Sequence, residues 1–162
     1  MGRDIYSKYS FTPVDSSDGL DYYAISDIHM ASRASAKTVS YFDNIELLVV
    51  AGDIVSMMDS FADANLVNDY AHKITKGSIP VIYARGNHEI KGKYSKEFHK
   101  FVGAKGESFF YKVNLSGVYG LVLDMGEDHE DEYWEYYDTA NYNQFREEQF
   151  AMLEAEIESQ EF

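Results

Sequence analysis

Three short segments that predict β-strands constrain the fold of this chain more than any other feature. They are LDYYAIS at 20–26, IELLVVA at 45–51 and IPVIYA at 79–84. The second is a continuous apolar run, which is typical of a strand buried on both faces of a parallel sheet. The intervening segments 30–44 and 59–76 predict helices, and Gly77 is expected to end the second one. This alternation predicts an α/β layered sandwich, with a mixed, centrally parallel sheet and flanking helices.

The rest of the chain extends this pattern within one domain. Residues 1–19 are polar and turn-rich and predict an extended lead-in, whereas 20–162 are expected to belong to the domain itself. The regular segments predicted after the third strand are a short helix ending at Gly103, a hairpin of strands 108–114 and 118–124, and a closing helix at 145–160 with Phe150, Leu153 and Ile157 on one stripe.

Composition and charge exclude several classes of protein. The chain has no Cys, so neither a disulfide nor a thiolate zinc site is available. No segment approaches the roughly 18 apolar residues of a membrane span, so no membrane partner is expected. Residues 127–162 carry 13 acidic side chains and one basic side chain, and this charge would repel the phosphates of a nucleic acid. No targeting segment is recognised, so the default expectation is a cytoplasmic location, or an extracellular one if an upstream part is missing.

A short polar motif follows each of the first three predicted strands. The motifs are Asp27-Ile28-His29, Gly52-Asp53 and Gly86-Asn87-His88-Glu89. Because ligands in α/β sheets gather at the carboxyl ends of the strands, we expect the three motifs to meet at one edge of the sheet. Asp and Asn also favour ordinary turns. The joint occurrence of three such motifs in this order nevertheless indicates a shared site.

The side chains in these motifs are suited to two divalent ions such as Mn2+, iron, Zn2+ or Mg2+. Asp27 and His29 can face one ion. The Asp53 carboxylate can bridge two ions, and Asn87 offers a carbonyl oxygen to the second. His88 points away from its neighbour Asn87 and is therefore free to donate a proton. Such a site predicts hydrolysis of phosphate esters, in which a hydroxide held between the ions attacks phosphorus and His88 protonates the leaving alkoxide.

This motif series resembles that of the calcineurin-like metallophosphoesterase superfamily, which carries D-x-H, G-D-x-x and G-N-H-[DE] in the same order. The resemblance extends over residues 20–162 and implies a metal-dependent phosphoesterase of phosphate mono- or diesters. By resemblance, Asp27 and His29 hold the first metal and Asp53 bridges. Asn87 then holds the second metal, and His88 is the proton donor. Less specific similarities to the purple-acid-phosphatase-like branch lie in YSFT at 9–12, in LDMGED at 123–128 and in the predicted closing helix around Gln149.

The sequence also departs from the superfamily pattern. Ser56-Met57 replaces the Asp-Arg that protein Ser/Thr phosphatases carry after the bridging aspartate. The later motifs, a lone His and then G-H-x-H, have no counterpart, since only His99 and His129 follow His88. The resemblance therefore covers the N-terminal half of the superfamily fold. The second half is expected to be absent or supplied by a second chain. The chain is then a truncated enzyme or, alternatively, a non-catalytic fragment or interaction module that retains the fold.

Four further features allow two interpretations each. Glu89 is expected to orient either His88 or the backbone of its loop. Asp124 ends a predicted strand, as the site aspartates do, but turn formation is favoured over a place in the site. His129 lies in an acidic loop, where a solvated side chain is favoured over a metal ligand. The aromatic side chains at 133–137 could line a substrate opening, but packing onto the core is favoured.

Overall fold

The computed structural model describes residues 7–103 and 108–159. Within these ranges the strands are β1 Tyr22–Ile25, β2 Leu47–Ala51, β3 Val81–Ala84, β4 Tyr111–Leu115 and β5 Val118–Val122. The α-helices are α1 Ser32–Val39, α2 Phe61–Thr75 and α3 Tyr142–Ser159, with short 3-10 helices at Ser95–Lys100 and Trp134–Tyr136. None of the described helices has both the length and the apolar character needed to span a membrane. The predicted lead-in lies partly outside these ranges, and its described part, 7–19, forms neither helix nor strand.

A three-stranded parallel sheet forms the centre of the fold. Its order is β1-β2-β3, so that β2 pairs in parallel with both neighbours. Leu48 and Val50 of β2 are fully buried, and they share the hydrophobic core with Tyr83 of β3. The fold predicted from the sequence, an α/β arrangement with a centrally parallel sheet and flanking helices, is therefore confirmed.

Helix α2 has clear sequence signals at both ends. At its start, the Ser60 hydroxyl accepts a hydrogen bond from the backbone of Asp63, and the Asp63 carboxylate accepts one from the backbone of Ser60. Tyr70 of this helix is fully buried in the core. Lys76 and Gly77 then adopt left-handed backbone angles, with φ of 55° and 73°. The helix consequently ends just before Gly77, as the sequence predicts.

The predicted hairpin is present as the antiparallel pair β4–β5. Its turn is formed by Ser116 and Gly117, which have φ of 52° and 88°. Such angles suit the tight connections of a hairpin.

Helix α3 contacts the rest of the molecule through buried polar side chains as well as through the ring of Phe145, which meets Phe110 edge to face. Gln149 and Glu156 are buried, whereas Phe150 and Ile157 of the predicted apolar stripe are 55% and 61% exposed. The Gln149 amide exchanges hydrogen bonds with the backbone of Asp124, and Glu156 contacts the β4–β5 hairpin. These polar contacts fix the rotation of the helix, so the apolar stripe faces solvent at Phe150 and Ile157.

The sheet face turned away from the core is partly open. Tyr22 of β1 is 61% exposed. Ala24 and Ala51, which alternate onto the same face, are exposed as well. Leu47, which alternates onto this face too, is buried, so the opening is confined to part of the face.

Candidate metal centre

The three strand-end loops that carry the predicted motifs lie side by side. They comprise residues 26–30 after β1, 52–58 after β2 and 85–92 after β3. The backbone N–H of Asp27 donates to the carbonyl of Gly52 at 3.2 Å, and the N–H of His29 donates to the carbonyl of Asp53 at 3.0 Å. These bonds continue the parallel pairing of β1 and β2 past the ends of the strands. The first two motifs are thereby held next to each other.

Three of the predicted ligand residues adopt a left-handed backbone. Asp27, His29 and Asp53 have φ of 55°, 40° and 54°. Non-glycine residues occupy this region uncommonly, and when they do the surrounding structure must hold them there. The backbone around these residues is therefore constrained by its neighbours, which is a recurring property of functional sites.

Two glycines allow the second and third loops to approach each other. A Cβ atom at Gly52 would lie 2.4 Å from the backbone nitrogen of Gly86. A Cβ atom at Gly86 would in turn lie 2.2 Å from Asp53 Oδ1 and 2.6 Å from the Asp53 backbone nitrogen. No larger residue fits this contact without moving the backbone. The glycine before Asp53 thus provides the predicted turn, with φ of 76°, and also a close contact between loops.

Glu89 holds the backbones of the same two loops together. Its side chain is fully buried. The carboxylate accepts hydrogen bonds from the N–H groups of Asp53, Ile54 and Gly86 at 2.9, 2.8 and 3.0 Å, and a fourth from Val55 at 3.3 Å. Glu89 therefore orients the loop backbone, which is one of the two roles expected from the sequence.

The loops bring His29, Asp53 and His88 into one cluster. One potential ligand atom from each of them lies within 4.8 Å of the other two. The two imidazole rings meet edge to face, with their centroids 4.6 Å apart. Two imidazoles and a carboxylate at this spacing fit a divalent ion such as Zn2+, Mn2+ or Fe2+. The structure thus brings together two of the four predicted ligands, His29 and Asp53, and places the predicted proton donor His88 beside them.

The orientation of His88 is fixed by two further contacts. Its Nδ1 lies 2.8 Å from the carbonyl oxygen of Ser56. Because a carbonyl oxygen can only accept, Nδ1 carries the hydrogen in this contact. The backbone N–H of His88 also donates to Asp53 Oδ1 at 3.0 Å. Nε2 is therefore the nitrogen of His88 that remains for chemistry.

The other two predicted ligands occupy different positions. Asp27 is at the edge of the cluster, with its Oδ1 3.9 Å from His29 Nε2 and its side chain 67% exposed. Asn87 is turned toward the acidic segment after β5, where its Nδ2 donates to Glu127 Oε1. Asp27 is thus open to solvent, whereas the Asn87 amide is held by the Glu127 carboxylate.

Sequence reasoning did not identify Glu127 as a residue of this site. Its side chain is 3% exposed, and Lys91 Nζ lies 2.7 Å from its Oε2. Burial raises the pKa of Glu127, but hydrogen bonds from Lys91 and Asn87 outweigh burial and leave this pKa below its usual value. Glu127 belongs to the LDMGED segment at 123–128, which resembles the purple-acid-phosphatase-like branch. That resemblance was the sequence signal that could have pointed to Glu127.

Residues 123–128, called here the support segment, are anchored by buried polar contacts. Arg85 Nε and Nη2 lie 2.7 and 2.6 Å from Asp124 Oδ2. Asp124 Oδ1 accepts the N–H of Gly126 at 2.9 Å, and its backbone N–H donates to Gln149 Oε1 at 2.7 Å. Burial raises the pKa of Asp124 even though Arg85 opposes the rise. Asp124 therefore forms the predicted turn and also a buried ion pair.

The aromatic loop after the support segment is only partly packed. Trp134 and Tyr137 are 69% and 80% exposed, so the favoured expectation of packing onto the core is wrong for these two rings. His129 stacks on Tyr133 at 3.9 Å between centroids. Tyr136 lines a cleft of about 350 Å3 that is also bordered by Asn87. An aromatic side chain thus lies beside the site, as the alternative interpretation requires.

A sequence model of the calcineurin-like phosphoesterase family matches residues 21–157, which is most of the chain and includes all three strand-end loops. The match does not single out the purple-acid-phosphatase-like branch. Curated proteins give no significant match.

Proposed function

This chain belongs to the calcineurin-like phosphoesterase family, and we propose that it carries the first part of a metal centre that hydrolyses phosphate mono- or diesters. The observation that carries the proposal is the cluster of His29, Asp53 and His88. Three strand-end loops converge on it, and close backbone contacts hold it in place. This placement agrees with the general position of ligand sites in α/β sheets.

The centre is proposed to hold two divalent ions. Asp27 and His29 would hold the first ion, Asp53 would bridge, and the Asn87 carbonyl oxygen would hold the second. When bound, such ions neutralise charge on phosphoryl oxygens and supply a water nucleophile at neutral pH. The proximity of His29 to Asp53 supports the shared site, and the exposure of Asp27 leaves its carboxylate free to turn toward an ion.

His88 is proposed to donate a proton to the leaving alkoxide or to stabilise the charge that develops there. Its Nδ1–H is directed at the Ser56 carbonyl. The proton would therefore be donated from Nε2 of the protonated ring. A positioned proton donor of this kind contributes roughly 10²–10⁴-fold to a rate.

Residues 20–162 are further proposed to be a partial domain that another segment or a second chain completes. The open sheet face with Tyr22, Ala24 and Ala51 supports this proposal, because contiguous exposed apolar surface usually marks an interface. The added part would also supply the later histidines of the superfamily pattern. Sedimentation velocity with a dye that binds apolar surface is the test. A stable monomer that does not bind the dye would contradict the proposal.

The enzymatic proposal is tested with a chromogenic phosphate ester and added Mn2+, Zn2+, Fe2+ or Mg2+. We expect metal-dependent hydrolysis that Asp53→Asn reduces by at least about 100-fold, because the substitution removes the charge of the bridging carboxylate. The matched control is Asp59→Asn, at an exposed position after β2. Equal and negligible rates for all three proteins would favour the alternative, a non-catalytic fragment or interaction module.

A further inference from the structure

We propose that Glu127 is a positioning residue for Asn87, which it orients so that the carbonyl oxygen Oδ1 is presented to a metal ion. This inference rests on the proposed function, in which Asn87 is a ligand. It gives the support segment a role that neither the motif series nor the family match assigns.

The contacts of the Asn87 amide provide the first argument. Asn87 Nδ2 donates to Glu127 Oε1. A side-chain amide has one acceptor atom and one donor group, and only the oxygen has lone pairs that a cation can use. When the nitrogen is held by a carboxylate, the oxygen is directed to the opposite side. Glu127 therefore selects the amide orientation that can bind a metal.

The environment of Glu127 provides the second argument. The carboxylate is almost completely buried and is paired with Lys91 Nζ through its other oxygen, at 2.7 Å. Arg146 donates to the backbone carbonyl of Glu127 and, at 3.1 Å, to that of Met125. Side chain and backbone are both held, so Glu127 has little freedom to leave Asn87.

The surroundings of the support segment provide the third argument. Its start is fixed by the buried pair of Arg85 and Asp124 and by the Gln149 amide of α3. Arg85 belongs to the same strand-end loop as Asn87. The segment is consequently attached to that loop at three points, Arg85, Asn87 and Lys91. This arrangement holds Glu127 beside Asn87.

Loss of the Glu127 carboxylate should weaken metal binding. Without it, the Asn87 amide can rotate and present its nitrogen, which is not a ligand. Outer partners of metal ligands typically contribute 10–100-fold to metal affinity. We therefore expect Glu127→Ala to weaken Mn2+ binding by about 10-fold.

The experiment is isothermal titration calorimetry with Mn2+ alone, on the full chain and its variants. Glu127→Gln keeps an oxygen that can accept from Asn87, so its affinity should stay within about threefold of wild type. Glu130→Ala removes an exposed acidic side chain from the same region and should change affinity by less than about twofold. If Glu127→Ala does not fold, Glu127→Asp replaces it, because the shorter side chain keeps the charge but withdraws from Asn87.

A second pair of proteins tests whether Glu127 acts through Asn87. In the Asn87→Ala background, removal of the Glu127 side chain should have almost no further effect on the Mn2+ affinity, since the group that it orients is already gone. A full 10-fold loss in that background would overturn the inference. Equal losses for Glu127→Gln and Glu127→Ala would also overturn it, because charge rather than orientation would then determine affinity.

The outcomes separate this inference from the proposed function. Wild-type chain that binds Mn2+, together with a Glu127→Ala variant that binds it equally well, contradicts only the role of Glu127. Wild-type chain that does not bind Mn2+ contradicts the proposed metal centre, and with it the inference.

Discussion

The strand-end loops and the support segment hold their residues in place by different means. In the loops, left-handed backbone at three of the predicted ligands and the contact between Gly52 and Gly86 determine the geometry, together with backbone hydrogen bonds to the buried Glu89. In the support segment, buried side chains determine it, through the Arg85–Asp124 pair and the contacts of Glu127. A backbone contact does not tolerate an added atom, whereas a side-chain contact can adjust. The loops should therefore be the more sensitive region to changes of residue size.

The predicted metal ligands of the first loop and the charged side chains of the support segment differ in exposure. The side chains of His29 and Asp27 are 39% and 67% exposed, whereas those of Asp124 and Glu127 are 0% and 3% exposed. Groups that meet an ion or a substrate must be accessible. A side chain that orients a neighbour acts more strongly when it is buried. Water is then excluded and does not weaken the hydrogen bonds to its charge. Chemistry and support are thus assigned to different side chains.

The largest expected effect concerns chemistry in the strand-end loops. His88→Asn should lower kcat for a phosphate ester by about 10²–10⁴-fold, because the proton donor is lost. The Mn2+ affinity should remain within about twofold of wild type, since the proposed ligands are intact. Steady-state kinetics and calorimetry on the same preparations measure both quantities.

His99→Asn is the matched control for this prediction. His99 lies outside the strand-end loops, in the short helix Ser95–Lys100, where its Nδ1 contacts the Lys96 carbonyl, and its replacement should leave both quantities unchanged. A His88→Asn variant whose Mn2+ affinity falls 10-fold or more would show instead that His88 is a metal ligand in the cluster with His29 and Asp53.

The next effect compares residue size in the two regions directly. Gly86→Ala places a Cβ atom against the backbone nitrogen of Asp53, at 2.6 Å, and should destabilise the fold by about 3 kcal/mol. Gly126→Ala places it 2.5 Å from the ring of Tyr142, which is a side chain and can move. We expect the second variant to lose only about 1 kcal/mol, mostly because of the positive φ of Gly126. Denaturant unfolding measures both values.

Gly103→Ala calibrates this comparison, because a Cβ atom there would meet nothing within 4 Å. Its free energy of unfolding should be within about 0.5 kcal/mol of wild type. Equal losses of unfolding free energy for Gly86→Ala and Gly126→Ala would contradict the proposed difference between backbone and side-chain contacts.

The contrast between the two regions also explains how far the sequence could predict the structure. The strand-end loops follow apolar strands and carry Asp27, His29 and Asp53 in contiguous motifs, so local pattern and sheet topology were enough to place them. Glu127 is 40 residues away from its partner Asn87, and no periodicity or spacing connects the two. The same holds for α3, whose rotation depends on Gln149 and Glu156 rather than on its apolar stripe. Pairings of distant polar side chains are decided only when the chain is folded.

The smallest expected effect concerns the polar packing of α3 and its dependence on pH. Hydrogen bonds from Lys112 and from Tyr119, the latter at 2.6 Å, hold the pKa of Glu156 below its usual value of 4.5. A carboxyl group with a depressed pKa stabilises the fold above its unfolded-state pKa, and this contribution is lost as the pH falls through the folded-state pKa. Glu156→Gln should therefore be less stable than wild type at neutral pH, and the difference should shrink below about pH 4.5. Urea unfolding at several pH values measures it, with the exposed Glu158→Gln as the control. A difference that stays constant with pH would mean that Glu156 stabilises α3 through packing alone. The contrast between regions held by polar side chains and regions held by backbone contacts would then not extend to this helix.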